Sequence, residues 1–288
     1  MPNEPMHLSM DRTNWQWGKS NINILLLSAC YKGISVPLYW IALDKKGNSD
    51  TQERIALIDF FISGFGRDKI AGLLGDREFI GKDWFTYLLK QEIPFDMRVK
   101  KNHVVTNSRG LEVDIDALFY HLSVGEFVAL PGMRKLMGQM LYLSAMRLED
   151  GQLLILASSD SPQDALTRYA RRWEIETLFS CLKGKGFCFE STRITNQERI
   201  ESMVSVLAIA FAWSHKVGDW RHENQKPIKV KKHGRLAISY FRYGLDWIQQ
   251  ALLAGERRLN QLNTSVSILT TALMKVVASD KDSSKLLC

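Results

Sequence analysis

Residues 168–186 read RYARRWEIETLFSCLKGKG, and the rest of the 288-residue chain is best understood outward from this stretch. On an α-helix turning about 100° per residue, Tyr169, Arg172, Glu176 and Lys183 fall within a sector of about 60°. Ile175, Leu178, Phe179 and Leu182 form an apolar stripe beside them that would pin the helix to a core. Ser161-Pro162-Gln163-Asp164 supplies a helix start, with a capping serine, a proline in the first turn and an acid at the positive end of the dipole. The helix is predicted to run from there to Lys183, where Gly184 and Gly186 stop it. A carboxylate flanked by a phenol, a guanidinium and an ammonium suits a metal ion and a phosphodiester together, the acid holding the metal and the cations the phosphate oxygens. The same spacing also fits a solvated helix face with an Arg172–Glu176 ion pair. Glu174 sits about 160° from Glu176, off the polar stripe, and is set aside.

Upstream, the pattern reads strand, strand, strand, helix, strand, helix. His7 to Asp11 is a short strand, and Ile22 to Tyr31 and Ile34 to Leu43 are β-rich runs joined by the turn Lys32-Gly33. Asp50 to Phe65 switches to helical spacing, with Ile55, Ile58, Phe61 and Ile62 on one face. Ile70 to Leu74 is an apolar run ending at Gly75-Asp76, Lys82 to Gln91 is helical, and Phe95 to Val99 is a strand. Asp11 and Asp76 are thus each placed at the carboxyl end of a strand, where open α/β sheets assemble their sites. Either alone also serves as a turn or cap residue. Arg77 and Glu78 flank Asp76 and are expected to orient it. Between Leu111 and Ser159 the sequence breaks into short β-rich pieces with turns at Val124-Gly125-Glu126, Pro131-Gly132 and Glu149-Asp150-Gly151. Helical periodicity returns at Ser161 and continues, with breaks, to the end.

Asp11-Arg-Thr-Asn-Trp15, Gly75-Asp-Arg-Glu-Phe79 and the 3, 4 and 7 spacing of Tyr169, Arg172, Glu176 and Lys183 together resemble the DDE transposases of the insertion sequence four family. The resemblance continues through Phe187-Cys-Phe-Glu190, Ala212-Trp-Ser-His-Lys216 and Phe241-Arg-Tyr-Gly-Leu-Asp246, covering nearly the whole chain. It implies an α/β, RNase H-like mixed sheet flanked by helices, with a β-rich insertion and a helical C-terminal part. The corresponding boundaries are 1–110 for the first part of the catalytic core, 111–160 for the insertion, 161–216 for the second part carrying the glutamate, and 217–288 for the helical region. Carried over by position, Asp11, Asp76 and Glu176 are the catalytic, metal-holding triad, while Tyr169, Arg172 and Lys183 contact DNA phosphates. The implied cofactor is a pair of Mg²⁺ ions about 4 Å apart, replaceable by Mn²⁺. The implied partners are the DNA ends of an insertion sequence and its target, bound by a homodimer in a synaptic complex. Family members often use a tryptophan of the insertion to hold a displaced base, yet 111–159 contains no tryptophan. The family places a recognition region ahead of its first catalytic aspartate, whereas ten residues precede Asp11; the expectation is a chain lacking that region. The alternatives are an inactive or inhibitory remnant that binds DNA or an intact transposase, and a stand-alone RNase H-like metal nuclease.

A net charge of +7 favours an anionic partner such as nucleic acid. No stretch reaches the roughly 20 uninterrupted apolar residues that would span a bilayer, Leu207 to Trp213 coming nearest, and the first ten residues lack the features of an export signal. The expected location is the bacterial cytoplasm, on the nucleoid when DNA is bound. Cys30, Cys181, Cys188 and Cys288 are expected to be reduced packing residues, since with His215 and His222 they match no common zinc spacing. The basic run Lys226 to Arg235 fits both a DNA-tracking segment and a solvated loop.

Overall fold

The computed structural model describes residues 4–232 and 234–283; Cys288 lies outside them. The described elements run β1 (Met6–Trp17), β2 (Ser20–Tyr31), β3 (Ile34–Ala42), α1 (Thr51–Phe65), β4 (Ile70–Gly75), α2 (Lys82–Lys90), β5 (Phe95–Val99), β6 (Val104–Thr106), β7 (Glu112–Asp114), β8 (Phe127–Ala129), β9 (Arg134–Leu136), β10 (Gln139–Arg147), β11 (Leu153–Ser158), α3 (Ala165–Ala170), α4 (Trp173–Leu182), α5 (Gln197–Asn224), α6 (Tyr240–Ala254) and α7 (Leu259–Ser283). They fall into two compact units, one comprising the chain through Ser180 with Glu190–Glu201, the other Cys181–Phe189 with Ser202 onward.

In the first unit a sheet is ordered β3-β2-β1-β4-β5-β11-β10-β9-β6-β7, with β8 on β10. The first three strands form an antiparallel meander, and β4 runs parallel to both β1 and β5. This is the RNase H-like mixed sheet. Lys32 and Gly33 both take positive φ, 48° and 83°, the geometry whose twist matches the strands of a tight hairpin. Strand β2 is apolar without alternation, every residue from Ile22 to Cys30 being buried, because both of its faces are covered. Asp50 caps α1 through a reciprocal pair: Glu53 N donates to Asp50 Oδ1 at 3.0 Å and Asp50 N to Glu53 Oε2 at 2.7 Å. Leu57, Ile58 and Phe61 of α1 and Trp84, Phe85 and Leu88 of α2 join Leu8, Met10, Leu25, Leu27 and Leu73 in the main core. On the other face, Ala165 and Tyr169 of α3 pack on Leu154 and Leu156 of β11.

The strands between residues 104 and 158 are not set apart from this sheet. β11 pairs antiparallel with β5, Ser158 opposite Asp96, and β10 continues outward from β11. Two elements differ from the sequence expectation. β1 continues past Asp11 to Trp17, because antiparallel pairing with β2 persists to Trp17↔Ser20 after the parallel pairing with β4 has ended. The single helix expected from Ser161 to Lys183 is two helices, α3 and α4, with Ser161 Oγ donating to Gln163 Oε1 rather than capping. At the junction, Arg172 N donates to Tyr169 O at 2.9 Å and Ile175 N to Arg172 O at 3.1 Å. These bonds span three residues, a tighter winding than an α-helix that brings residues three apart into line.

In the second unit, α5 and α6 meet at two glycines. A Cβ on Gly218 would stand 1.9 Å from Tyr240 O, and one on Gly244 1.9 Å from Ser214 O. Val217, Trp247 and Ile248 form a small core there, and Trp213 Nε1 donates to Ser265 O at 2.7 Å. By length and composition the 28-residue α5 could cross a membrane, an 18-residue window of it having a mean hydropathy of 1.2, which the sequence reading did not anticipate. Its Ile200, Val204, Leu207, Phe211 and Val217 are buried within the chain, with Ser214 and His215 beside them, whereas Val206 and Ile209 are exposed. Val230, within the basic run, forms an antiparallel bridge with Leu236 just after it.

Candidate active site

The parallel ladder between β1 and β4 ends at Met10↔Gly75, so Asp11 and Asp76 follow at the same level on neighbouring strands. Leu8 and Met10 point into the main core; alternation along β1 sends Asp11 to the opposite face. Gly75 makes room for the turn that follows, since a Cβ there would meet Met97 Sδ at 2.6 Å and Phe79 Cβ at 2.9 Å. Asp11 is largely desolvated. Burial pushes its carboxyl up to about 6, with Glu78 and Asp76 adding to the rise while the Arg12 amide and Arg172 oppose it.

Arg172 binds two acids. Its Nη1 lies 3.2 Å from Asp11 Oδ2 and its Nη2 2.5 Å from Glu176 Oε1. The Arg172 side chain is 4% exposed, against 57% for Glu176. Its guanidinium carbon is 5.6 Å from the Tyr169 ring centre, as the tight junction between α3 and α4 dictates. Burial raises the Tyr169 phenol to about 12, so it is a neutral hydrogen-bond donor. Arg171 turns the other way, to His7 Nδ1 at 2.9 Å and to Cys30 O at 3.0 Å. Glu174 faces the backbone amides of Tyr31 and Gly33, away from Asp11. Lys183 directly follows α4 and belongs to the other unit.

Three features escaped the sequence reading. Arg98 Nη1 approaches Asp76 Oδ1 at 3.9 Å. Glu78 takes a forked pair from Arg12, both contacts 3.1 Å, and so bridges the two aspartate-bearing segments. Asp96 accepts from Arg168 Nε at 2.7 Å, Arg168 Nη2 at 2.9 Å and Ser158 Oγ at 2.6 Å, fastening α3 to β5 and β11. A signal existed for two of these residues. In the strand FDMRV, Phe95, Met97 and Val99 enter the main core, which leaves Asp96 and Arg98 on the site's face. Beside Asp76, a cleft of about 1000 Å³ is lined by Arg77, Arg98, Lys100, Lys101, Tyr120 and Arg147, among others.

The donor chemistry fits a divalent cation. Asp11 and Asp76 offer hard oxygens from adjacent strands, and Asp76 Oδ1 is buried with no hydrogen bond among the described residues. No group of three or more metal-ligating side chains stands together among those residues, for the Arg172 guanidinium lies between Asp11 and Glu176. Asp11 within β1, Asp76 directly after β4 and Glu176 on α4 thus stand on an RNase H-like sheet with Arg172 bonded to the first and the third. Residues 2–213 match the family described as "Transposase DDE domain", and the chain belongs to that family. No curated protein matches the chain. Among solved structures it is similar to the piggyBac transposase in a synaptic complex with hairpin DNA, at 12% identity and a TM-score of 0.46, covering 93% of this chain and 58% of that one. It is also similar to the HTLV-2 integrase catalytic core domain in complex with magnesium, in its dimeric form, at 15% identity and a TM-score of 0.26, covering 33% of this chain and 62% of that one. The chain thus spans less than two thirds of the length of either structure.

Proposed function

We propose that this chain is the catalytic core of a cut-and-paste DNA transposase of the insertion sequence four kind. The observation that carries the reading is the shared level of Asp11 and Asp76 on neighbouring parallel strands, with Arg172 of the α3–α4 junction bonded to both Asp11 and Glu176. Asp11, Asp76 and Glu176 would hold Mg²⁺ or Mn²⁺, two ions in the full reading. Bound there, the metal supplies Lewis-acid stabilisation of charge on the attacking and departing oxygens.

The chain's own residues do the rest. Arg172, Tyr169 and Lys183 hold phosphate oxygens, and the cations of the cleft beside Asp76 continue the path of the backbone. Water attacks phosphorus, the bond from phosphorus to the 3′ oxygen breaks, and a proton passes from the water to that oxygen. The resulting 3′-hydroxyl then attacks a target phosphodiester, exchanging one phosphorus–oxygen bond for another, so strand transfer needs no covalent protein intermediate or energy source. The reading also takes the chain to act on the ends of an insertion sequence, as a homodimer, in the bacterial cytoplasm.

The test is cleavage of end-bearing duplex DNA with Mg²⁺ or Mn²⁺ present. Asp11→Asn, Asp76→Asn and Glu176→Gln should each lower the rate by about a hundredfold or more, because losing one ligand breaks the metal clamp. A folded variant of any of the three that cleaves at the wild-type rate would overturn the assignment.

A further inference from the structure

We infer that Arg172 is a placeholder cation whose exchange of partners makes metal binding and DNA binding cooperative. The inference rests on the metal-dependent reading above and concerns how that site is regulated. Asp11 Oδ2 and Glu176 Oε1 each already bind a cationic nitrogen of one guanidinium, at 3.2 and 2.5 Å. A divalent ion held by Asp11 and Glu176 must compete for those oxygens with a group that is 4% exposed and already desolvated. If Arg172 left the acids without a new partner, a buried positive charge would remain uncompensated, which is costly. A metal ion alone is therefore opposed.

A phosphodiester removes that opposition. The Arg172 Nε is buried without a hydrogen-bond partner among the described residues, and the Tyr169 hydroxyl beside it makes no hydrogen bond of good geometry. Both are donors, close to one another, and neither donates to one of the acids. A phosphate offers the guanidinium a two-pronged anionic partner equivalent to the one it leaves, with Tyr169 donating to the same group. Once Arg172 turns to phosphate, Asp11 and Glu176 are released to the metal. Each ligand thereby lowers the cost of binding the other by the same factor, as linkage requires. The chain's acids would be charged with metal only where DNA is in place, which protects against loading at the wrong moment.

The experiment is calorimetric titration of Mn²⁺ into the whole chain, with and without a short duplex. Duplex should tighten Mn²⁺ binding to the wild type about tenfold or more, within the ordinary range of coupling between sites. Arg172→Gln should bind Mn²⁺ about tenfold tighter than wild type without DNA, and duplex should then add little. Arg172→Lys separates a placeholder from a general charge effect, since lysine keeps the charge but cannot fork between two carboxylates. It should bind Mn²⁺ tighter than wild type; wild-type affinity in Arg172→Lys, or wild-type affinity and coupling in Arg172→Gln, overturns the inference. The wild-type coupling needs no variant, so its absence counts against the idea even if both variants fail to fold. Asp11→Asn distinguishes the two levels of failure. If it leaves Mn²⁺ binding unchanged, the metal reading itself falls; if it abolishes binding while Arg172→Gln matches wild type, only the placeholder falls.

Discussion

Arg171 and Arg172 are neighbours with opposite surroundings, one held by His7 and the Cys30 carbonyl, the other by Asp11 and Glu176. That opposition follows from the tight winding at the α3–α4 junction, and it lets His7 anchor the segment that delivers Arg172. His7 must be neutral to accept from Arg171 at Nδ1. Burial, and then the Arg171 charge, lower its pKa from the ordinary 6.5. The unfolded chain therefore takes up this proton first, so the stability linked to His7 is complete above 6.5 and is lost as pH falls through the folded-state value. His7→Gln keeps a hydrogen-bonding group without titrating, and its melting temperature should decline less than that of wild type on the acid side. Parallel melting curves across that window test this; identical acid-side slopes would mean that His7 does not carry the effect. Burial acts on Asp11 in the opposite sense, pushing its carboxyl up to about 6.

At the scale of elements, α3 is only six residues long, too short to persist without tertiary anchoring. Its anchor is the Asp96–Arg168 pair, with side chains 4% and 22% exposed. Asp96→Ala should destabilise the fold by about 2–3 kcal/mol, because Arg168, half-buried, would lose its counter-ion while keeping only the Ser161 carbonyl. Replacing both, as Asp96→Leu with Arg168→Met, should cost less, and urea unfolding of the single and double variants measures the difference. The α5–α6 contact makes a second case. Gly218→Ala would drive a methyl into the Tyr240 carbonyl of the facing helix, 1.9 Å away, and backbone yields less readily than a side chain. A loss of about 1–3 kcal/mol or more is expected, with the same measurement deciding; a stability equal to wild type would show that the two helices can separate without penalty.

Across the whole molecule, a net charge of +7 does not locate a DNA path, and the proposed reading places one in the cleft beside Asp76, where Arg77, Arg98, Lys100, Lys101 and Arg147 outnumber Asp116 and Asp150. Arg77, Lys100 and Lys101 are exposed residues of its lining. Replacing any one with Gln should lower the salt dependence of duplex binding by about one unit of slope, alike for all sequences. Fluorescence anisotropy across a salt series reads this directly, and an unchanged slope in all three variants would move the DNA path elsewhere. Much of the architecture was legible in local pattern: apolar runs gave β2 to β5, the Asp50–Glu53 box opened α1, and Gly75-Asp76 closed β4. Those signals work because capping, alternation and chain turns are settled by residues a few positions apart. What local pattern could not supply was the break between α3 and α4, since the continuous stripe from Tyr169 to Lys183 describes an unbroken helix equally well. Nor could it give the partners of Asp96 and Arg12, which lie 72 and 66 residues away in sequence. Sequence by itself placed Asp11 on the first strand, Asp76 directly after the fourth and Tyr169, Arg172 and Glu176 on the helical stretch. The tertiary structure decided how the carboxylates and arginines meet, because that depends on strand pairing and on where each buried charge finds its counter-ion, and both are properties of the assembled sheet.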